Sequence, residues 1–148
     1  MKKKLQLILT CVIIVLLAIF INVRIISPFS ISGMSMYPTL EPNALVFVLK
    51  TSDICENDIV LLRQSDGTYI VKRVIGTSGD CIELYYDRLY VNKILIDTTV
   101  NSTDERYYAL INVPNESIFV LGDNRLESYD SRDFGCMPLD AVVGVLIH

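Results

Sequence analysis

From Leu5 to Val23 the chain runs 19 residues without a charge, interrupted only by the polar Gln6, Thr10 and Asn22. As a helix this run reaches ~28 Å at ~1.5 Å per residue, enough to cross a hydrocarbon core. Lys2, Lys3 and Lys4 precede it and Arg24 alone follows. The excess of positive charge keeps the N-terminus in the cytoplasm and places everything beyond on the outer side. A cleavable secretory signal would have an apolar core of only ~7–15 residues ending in a small-x-small site. Ser30-Ile31-Ser32 is the one nearby match, and the run is too long for that reading. The expectation is an uncleaved single-pass anchor over residues 1–26, cytoplasmic tip included, and one extracellular domain over residues 27–148.

The domain beyond the anchor carries nine basic against seventeen acidic residues, a net of −8. That balance repels polyphosphate, so nucleic acid is excluded as a partner. Cys11 lies in the apolar run, and Cys55, Cys81 and Cys136 show no spacing that would build a metal site, so packed, structural cysteines and no metal or cofactor are expected. Eight short apolar runs read as strands: Leu45–Leu49, Ile59–Leu62, Tyr69–Ile75, Cys81–Tyr85, Leu89–Val91, Ile94–Ile96, Ile118–Leu121 and Val142–Ile147. Asp66-Gly67, Ser78-Gly79-Asp80, Tyr86-Asp87 and Asn92-Lys93 supply turn chemistry between them. No other stretch sustains a helical period, so the fold is expected to be mainly β, an all-β sandwich or irregular barrel behind one transmembrane helix. Asp97–Asn112 reads as a long irregular loop.

Three segments carry groups suited to chemistry. In Ser32-Gly33-Met34-Ser35-Met36-Tyr37-Pro38-Thr39-Leu40 a glycine before and a proline after Ser35 expose its hydroxyl and leave backbone N–H groups unpaired, as a nucleophile and its oxyanion hole require. Taken alone, such a serine is more often a turn residue. The sole histidine, His148, is the last residue, which argues against a Ser/His/Asp triad. A lysine can serve instead if burial brings its pKa from ~10.4 towards neutrality. Lys72 meets that demand inside Tyr69-Ile70-Val71-Lys72-Arg73-Val74-Ile75-Gly76, where strand alternation puts Ile70, Lys72 and Val74 on one face. Lys50 and Lys93, at a strand end and in a turn, are poorer bases. An arbitrary strand lysine would simply face water. The third segment, Gly122 to Gly135, concentrates small, acidic and basic groups at a strand end, either a polar network or a solvated loop.

Taken in order, these segments resemble the signature boxes of type I signal peptidases of the short Gram-positive form. Asn57-Asp58-Ile59-Val60 resembles a further box, with Asn57 where glycine is usual. The resemblance implies a serine/lysine dyad that removes signal peptides from exported preproteins at the outer membrane surface, without a cofactor. It makes Ser35 the nucleophile and its N–H the oxyanion donor, Lys72 the general base, and Ser128 the group that orients the amine. Asp130, paired to Arg132 or Arg73, would hold that network. Position 33 carries a hydroxyl in some members of the family; Gly33 supplies none here. Ile31 and Val71 are the expected walls of shallow pockets for small substrate side chains, and Met36 is expected in a lipid-facing apolar rim. The bilayer confines enzyme and preprotein to one surface and raises their effective concentration. Two rival readings remain at this level: a self-cleaving repressor-like peptidase, which would need a DNA-binding half where this chain has an apolar run, and an inactive membrane-anchored β-domain serving export or pilus assembly.

Overall fold

The computed structural model describes residues 2–85, 88–97 and 108–147. Helix α1 (Lys2–Ile25) leads directly into strand β1 (Ile26–Ser30). Residues Gln6–Ala18 of α1 are exposed, a segment of about 20 Å against a hydrocarbon core of ~30 Å. The side chains of Leu5 and of residues 19–24, which the expected span needs, lie outside those described. Among the described residues no helix is long and apolar enough to cross a membrane.

Beyond β1 come β2 (Leu45–Leu49), β3 (Ile59–Arg63), β4 (Tyr69–Gly76), β5 (Cys81–Tyr85), β6 (Arg88–Val91), β7 (Ile94–Asp97), β8 (Tyr108–Asn112), β9 (Ser117–Leu121), β10 (Met137–Pro138) and β11 (Val142–Ile147), with a one-turn helix α2 (Ser131–Phe134) before β10. Among the described residues they form a seven-stranded sheet in the order β1-β2-β11-β3-β4-β9-β10 and a four-stranded sheet in the order β7-β6-β5-β8. The eight expected strands are all present, within a residue of their expected ends. The β3–β4 hairpin turns at Gly67, whose φ of 87° suits a residue without Cβ. Asn92 and Lys93, at φ 51° and 70°, make the paired left-handed turn between β6 and β7. The Tyr86-Asp87 turn lies outside the described residues.

Three strands were not expected. β1 straddles the expected boundary at residue 26, and its Pro28 disguised it; as an edge strand paired only with β2 it tolerates a residue with no N–H. β8 falls in the stretch expected to be an irregular loop, and pairs along its length with β5 from Cys81↔Asn112 to Tyr85↔Tyr108; residues 98–107 of that stretch are outside the description. β10 is too short to show a pattern. Cys55, Cys81 and Cys136 are free thiols. Cys136 packs beside the core of the small sheet, whereas Cys55 is exposed, contrary to a packed role for all three.

β4 sits between β3 and β9 and touches three cores, its Ile75 joining Phe119 and Leu121 in that of the small sheet. Val71 belongs to a cluster with Ile31, Met36, Leu40, Val46, Val48, Ile59, Leu61 and Leu146. Val74 and Ile70 face another, built from Val60, Leu62, Ile118 and Val120. Burial of both faces explains why this strand is apolar on either side of the Lys72-Arg73 pair rather than alternating apolar and polar throughout.

The large sheet closes tightly at Gly144 of β11, where a Cβ would come within 2.2 Å of the Leu49 carbonyl oxygen of β2. Backbone cannot yield there as a side chain could. Gly144→Ala is expected to destabilise the full-length chain in detergent by about 1–3 kcal/mol, read as a lowered denaturant midpoint; an unchanged midpoint would contradict this packing.

Candidate active site

The turn after β1 is fixed from below. Ile31 donates its N–H to the Ala44 carbonyl at 2.9 Å, Tyr37 to Met34 at 3.0 Å and Leu40 to Met36 at 2.9 Å. Met36 and Leu40 are driven into the core beside Ile31 and Val71, so Ser35 is left half-buried between an exposed Met34 and a buried Met36. Met36 is only 2 % exposed, which removes it from any lipid-facing rim: in a tight turn its side chain is the one that points inward. The Ser35 N–H donates to no acceptor among the described residues.

Lys72 lies opposite Val60 in the β3–β4 ladder and is 3 % exposed, on the face it shares with Ile70 and Val74. Its amine donates to Ser128 Oγ at 3.0 Å. Burial pushes the amine pKa below the ordinary lysine value; Asp130 works against that shift, and Arg132 in turn opposes Asp130. The carboxylate of Asp130 is fully buried and its fork is filled: Arg132 Nε at 2.9 Å and Nη2 at 3.0 Å, and the Gly122 N–H at 3.0 Å. Burial alone would raise that carboxyl, but hydrogen bonds from Arg132, Gly122 and Ser128 outweigh it and hold it low. Arg132 offsets part of the pull that Asp130 and Asp133 exert on the amine, and desolvation, the largest effect, sets the direction.

Asp130 also caps α2, accepting from the Arg132 N–H at 3.2 Å while its own N–H donates to Asp133 at 3.0 Å, and Arg132 Nη2 reaches the Arg125 carbonyl at 2.7 Å. The adjacent Ser131 hydroxyl accepts from the Val120 N–H of β9 at 2.9 Å. The third segment is therefore bolted to β9, and β9 to β4 through Arg73↔Leu121 and Val74↔Val120. Arg73 does not pair with Asp130. It faces away from Lys72, and its fork grips Asp123 at 2.9 and 2.7 Å while Nη1 reaches the Asn57 carbonyl at 2.9 Å, as strand alternation requires of neighbouring residues.

Gly122 is where the segments meet. A Cβ there would fall 2.2 Å from Ser128 Oγ and 2.5 Å from the Ser35 carbonyl oxygen, so the two serines flank one backbone position. No hydrogen bond joins Ser35 Oγ to the Lys72 amine in this structure; the amine's bond goes to Ser128. Ile31 and Val71 are both buried in one cluster. His148 is outside the described residues. Gly122, Asp123, Asn124 and Thr39 carry roles that residue type did not announce: Asp123 is held low by Arg73 and Thr39 against the effect of its burial, and so ties the nucleophile turn to β4. Asn124 donates to the carbonyls of both Met34 and Ser35.

Two outcomes follow from this geometry. Gly122→Ala forces a methyl into the Ser35 carbonyl and is expected to cut activity about a hundredfold or more, since ångström displacements at reacting groups cost that much; activity within threefold of the parent would contradict the close approach. Lys72 is depressed in the folded state, so between its folded pKa and the unfolded 10.5 the unfolded chain binds more protons and stability rises with pH. Below the folded pKa the burial penalty is fully present. Lys72→Met should therefore be more stable than the parent near neutrality, with the gap narrowing as pH climbs towards 10.5; a gap independent of pH in denaturant titrations would refute the depressed amine.

Comparison with known proteins agrees over most of the chain. Residues 4–147 match the family described as "Signal peptidase, peptidase S26". Signal peptidase I S of Bacillus subtilis (strain 168) is 36% identical over 138 residues, 82% of this chain and 74% of that protein. Signal peptidase I of Bacillus caldolyticus is 37% identical over 139 residues, 81% and 76% of the two chains. A crystal structure of a signal peptidase I from Enterococcus faecalis V583 superposes with a TM-score of 0.54 at 31% identity, covering 64% of this chain and 97% of that one. With its mainly β fold and its ordered boxes, the chain belongs to the signal peptidase family, peptidase S26.

Proposed function

We propose that this chain is a membrane-anchored serine endopeptidase that removes N-terminal signal peptides from exported preproteins, with Ser35 as nucleophile and Lys72 as general base. The observation that carries the reading is a buried lysine amine, bonded among the described residues to Ser128 alone, one glycine away from the turn that presents Ser35. Neutral Lys72 takes the Ser35 proton as Oγ attacks the scissile carbonyl carbon. The oxyanion accepts from the Ser35 N–H. The C–N bond breaks as the lysine ammonium protonates the departing amine, leaving an acyl ester on Ser35. Water, deprotonated by the neutral amine, attacks that ester and frees the enzyme. Closing the gap between Ser35 and the amine falls to substrate binding, since catalytic hydrogen bonds commonly tighten only in the Michaelis complex.

Ser128 orients the amine, and Asp130 with Arg132 holds Ser128. Ile31 and Val71 meet in one apolar cluster, which suits them to wall the pockets for small side chains before the cut. The anchor is the run Leu5–Val23 within α1, with the lysine cluster on the cytoplasmic side and the β-domain outside. The bilayer and the preprotein are its partners.

The test uses the full-length chain in detergent or liposomes with a signal-bearing preprotein. Ser35→Ala and Lys72→Ala should each reduce kcat by roughly a thousandfold or more, with the parent's product beginning at one defined residue. Retention of cleavage in either variant would rule out the dyad.

A further inference from the structure

Asn124 holds two successive carbonyls at the nucleophile. Its backbone N–H donates to the Ser35 carbonyl at 2.9 Å, and its side-chain Nδ2 donates to the Met34 carbonyl at 3.2 Å. The Met34 carbonyl takes a second bond from the Tyr37 N–H at 3.0 Å. In a trans peptide C=O and N–H are coplanar and point in opposite directions. Pinning the Met34 oxygen towards Asn124 therefore fixes where the Ser35 N–H points, and that N–H has no acceptor among the described residues.

A second observation separates this contact from ordinary turn chemistry. Asn124 precedes the one-turn helix Arg125–Glu127 in the N-cap position, where asparagine side chains commonly accept a bond from the first turn; here its side chain makes no such cap. The side-chain bond that Asn124 does make runs from Nδ2 to the nucleophile turn.

We infer that Asn124 is the positioning residue of the oxyanion hole: its side-chain amide holds the Met34–Ser35 peptide so that the Ser35 N–H stays aimed at the oxygen that becomes negative. Pre-orientation of this kind acts on the tetrahedral state more than on bound substrate, because the donor need not turn during reaction. It leaves proton transfer alone. The inference rests on the proposed role of Ser35 and deepens it.

The experiment compares the full-length parent with Asn124→Ala and Asn124→Asp, the latter keeping the size of the side chain while replacing its donor with an oxygen. Each is measured for kcat, KM and pH profile, and for affinity towards two probes. One is a signal-peptide aldehyde ending at the residue before the cut, which forms a tetrahedral adduct on Ser35. The other is an uncleavable peptide of the same sequence. The inference predicts kcat and aldehyde affinity each lowered about 10- to 100-fold, less than the 100- to 1,000-fold typical of deleting a donor. KM and uncleavable-peptide affinity should stay within about twofold in both variants, and the pH profile should keep its shape in Asn124→Ala, which adds no titrating group. Because the two affinities are compared within one variant, a partly unfolded sample lowers both alike and leaves their ratio intact. Equal losses for both probes, or no loss for either, would overturn the role of Asn124. Failure of the parent to cleave, or to form the aldehyde adduct, would instead overturn the reading of Ser35.

Discussion

The structure depends on keeping one amine dry. Lys72 sits in a strand with a neighbour on each side and hydrocarbon on its own face, so its charged form has lost most of its hydration. Such a group would normally be rescued by a carboxylate, and Asp130 is near enough to act on it. Burial outweighs that rescue, and Arg132, whose guanidinium is bonded to the same carboxylate, offsets part of it. A buried ion pair thus stands beside the lysine. Its position is explained by what it leaves to the amine: among the described residues, one hydroxyl, Ser128, as partner.

Around that amine the site is assembled largely by backbone. β9 delivers Gly122 beside the nucleophile turn because it pairs with β4. Gly122 can lie there because it has no side chain. Asn124 then reaches the turn with its N–H and its amide, and Asp123 ties the opposite face of β4 to the same turn through Arg73 and Thr39. Residues nearly ninety positions apart are in this way held by ladder and loop bonds that do not rely on flexible surface side chains. The nucleophile turn is fixed from inside by Met36 and Leu40 and from above by Asn124, leaving Ser35 as its free functional group.

Much of this was legible in the residues. Short runs rich in branched and aromatic side chains located eight strands, since such runs mark where a pleated surface is buried, and alternation put Ile70 and Val74 with Lys72 and sent Arg73 the other way. The unreadable parts have physical causes. Pro28 hid β1 because proline is excluded from central strands but not from an edge. β8 followed a polar stretch that masked its short apolar run. Met36 read as a surface group because a turn of alternating exposure has no period to betray which side chain turns inward. Gly122 and Asn124 stood in the third segment without a role of their own; their roles arise from a close approach set by strand pairing, and pairing between β4 and β9 is a long-range fact that no local window contains. The partner of Arg73 was open for the same reason, since only the register assigns it to Asp123 rather than Asp130.

The central claim can be measured directly at the amine. With lysine labelled at its ε-carbon in the full-length chain, and Lys72→Met used to assign the signal, the pH titration of that one resonance reports the protonation of Lys72. The account predicts a midpoint clearly below the ordinary 10.5, moving further when Asp130 is neutralised as Asn. A Lys72 signal that titrates with the exposed lysines would show a solvated amine, and the proposed chemistry at Ser35 would lose its base.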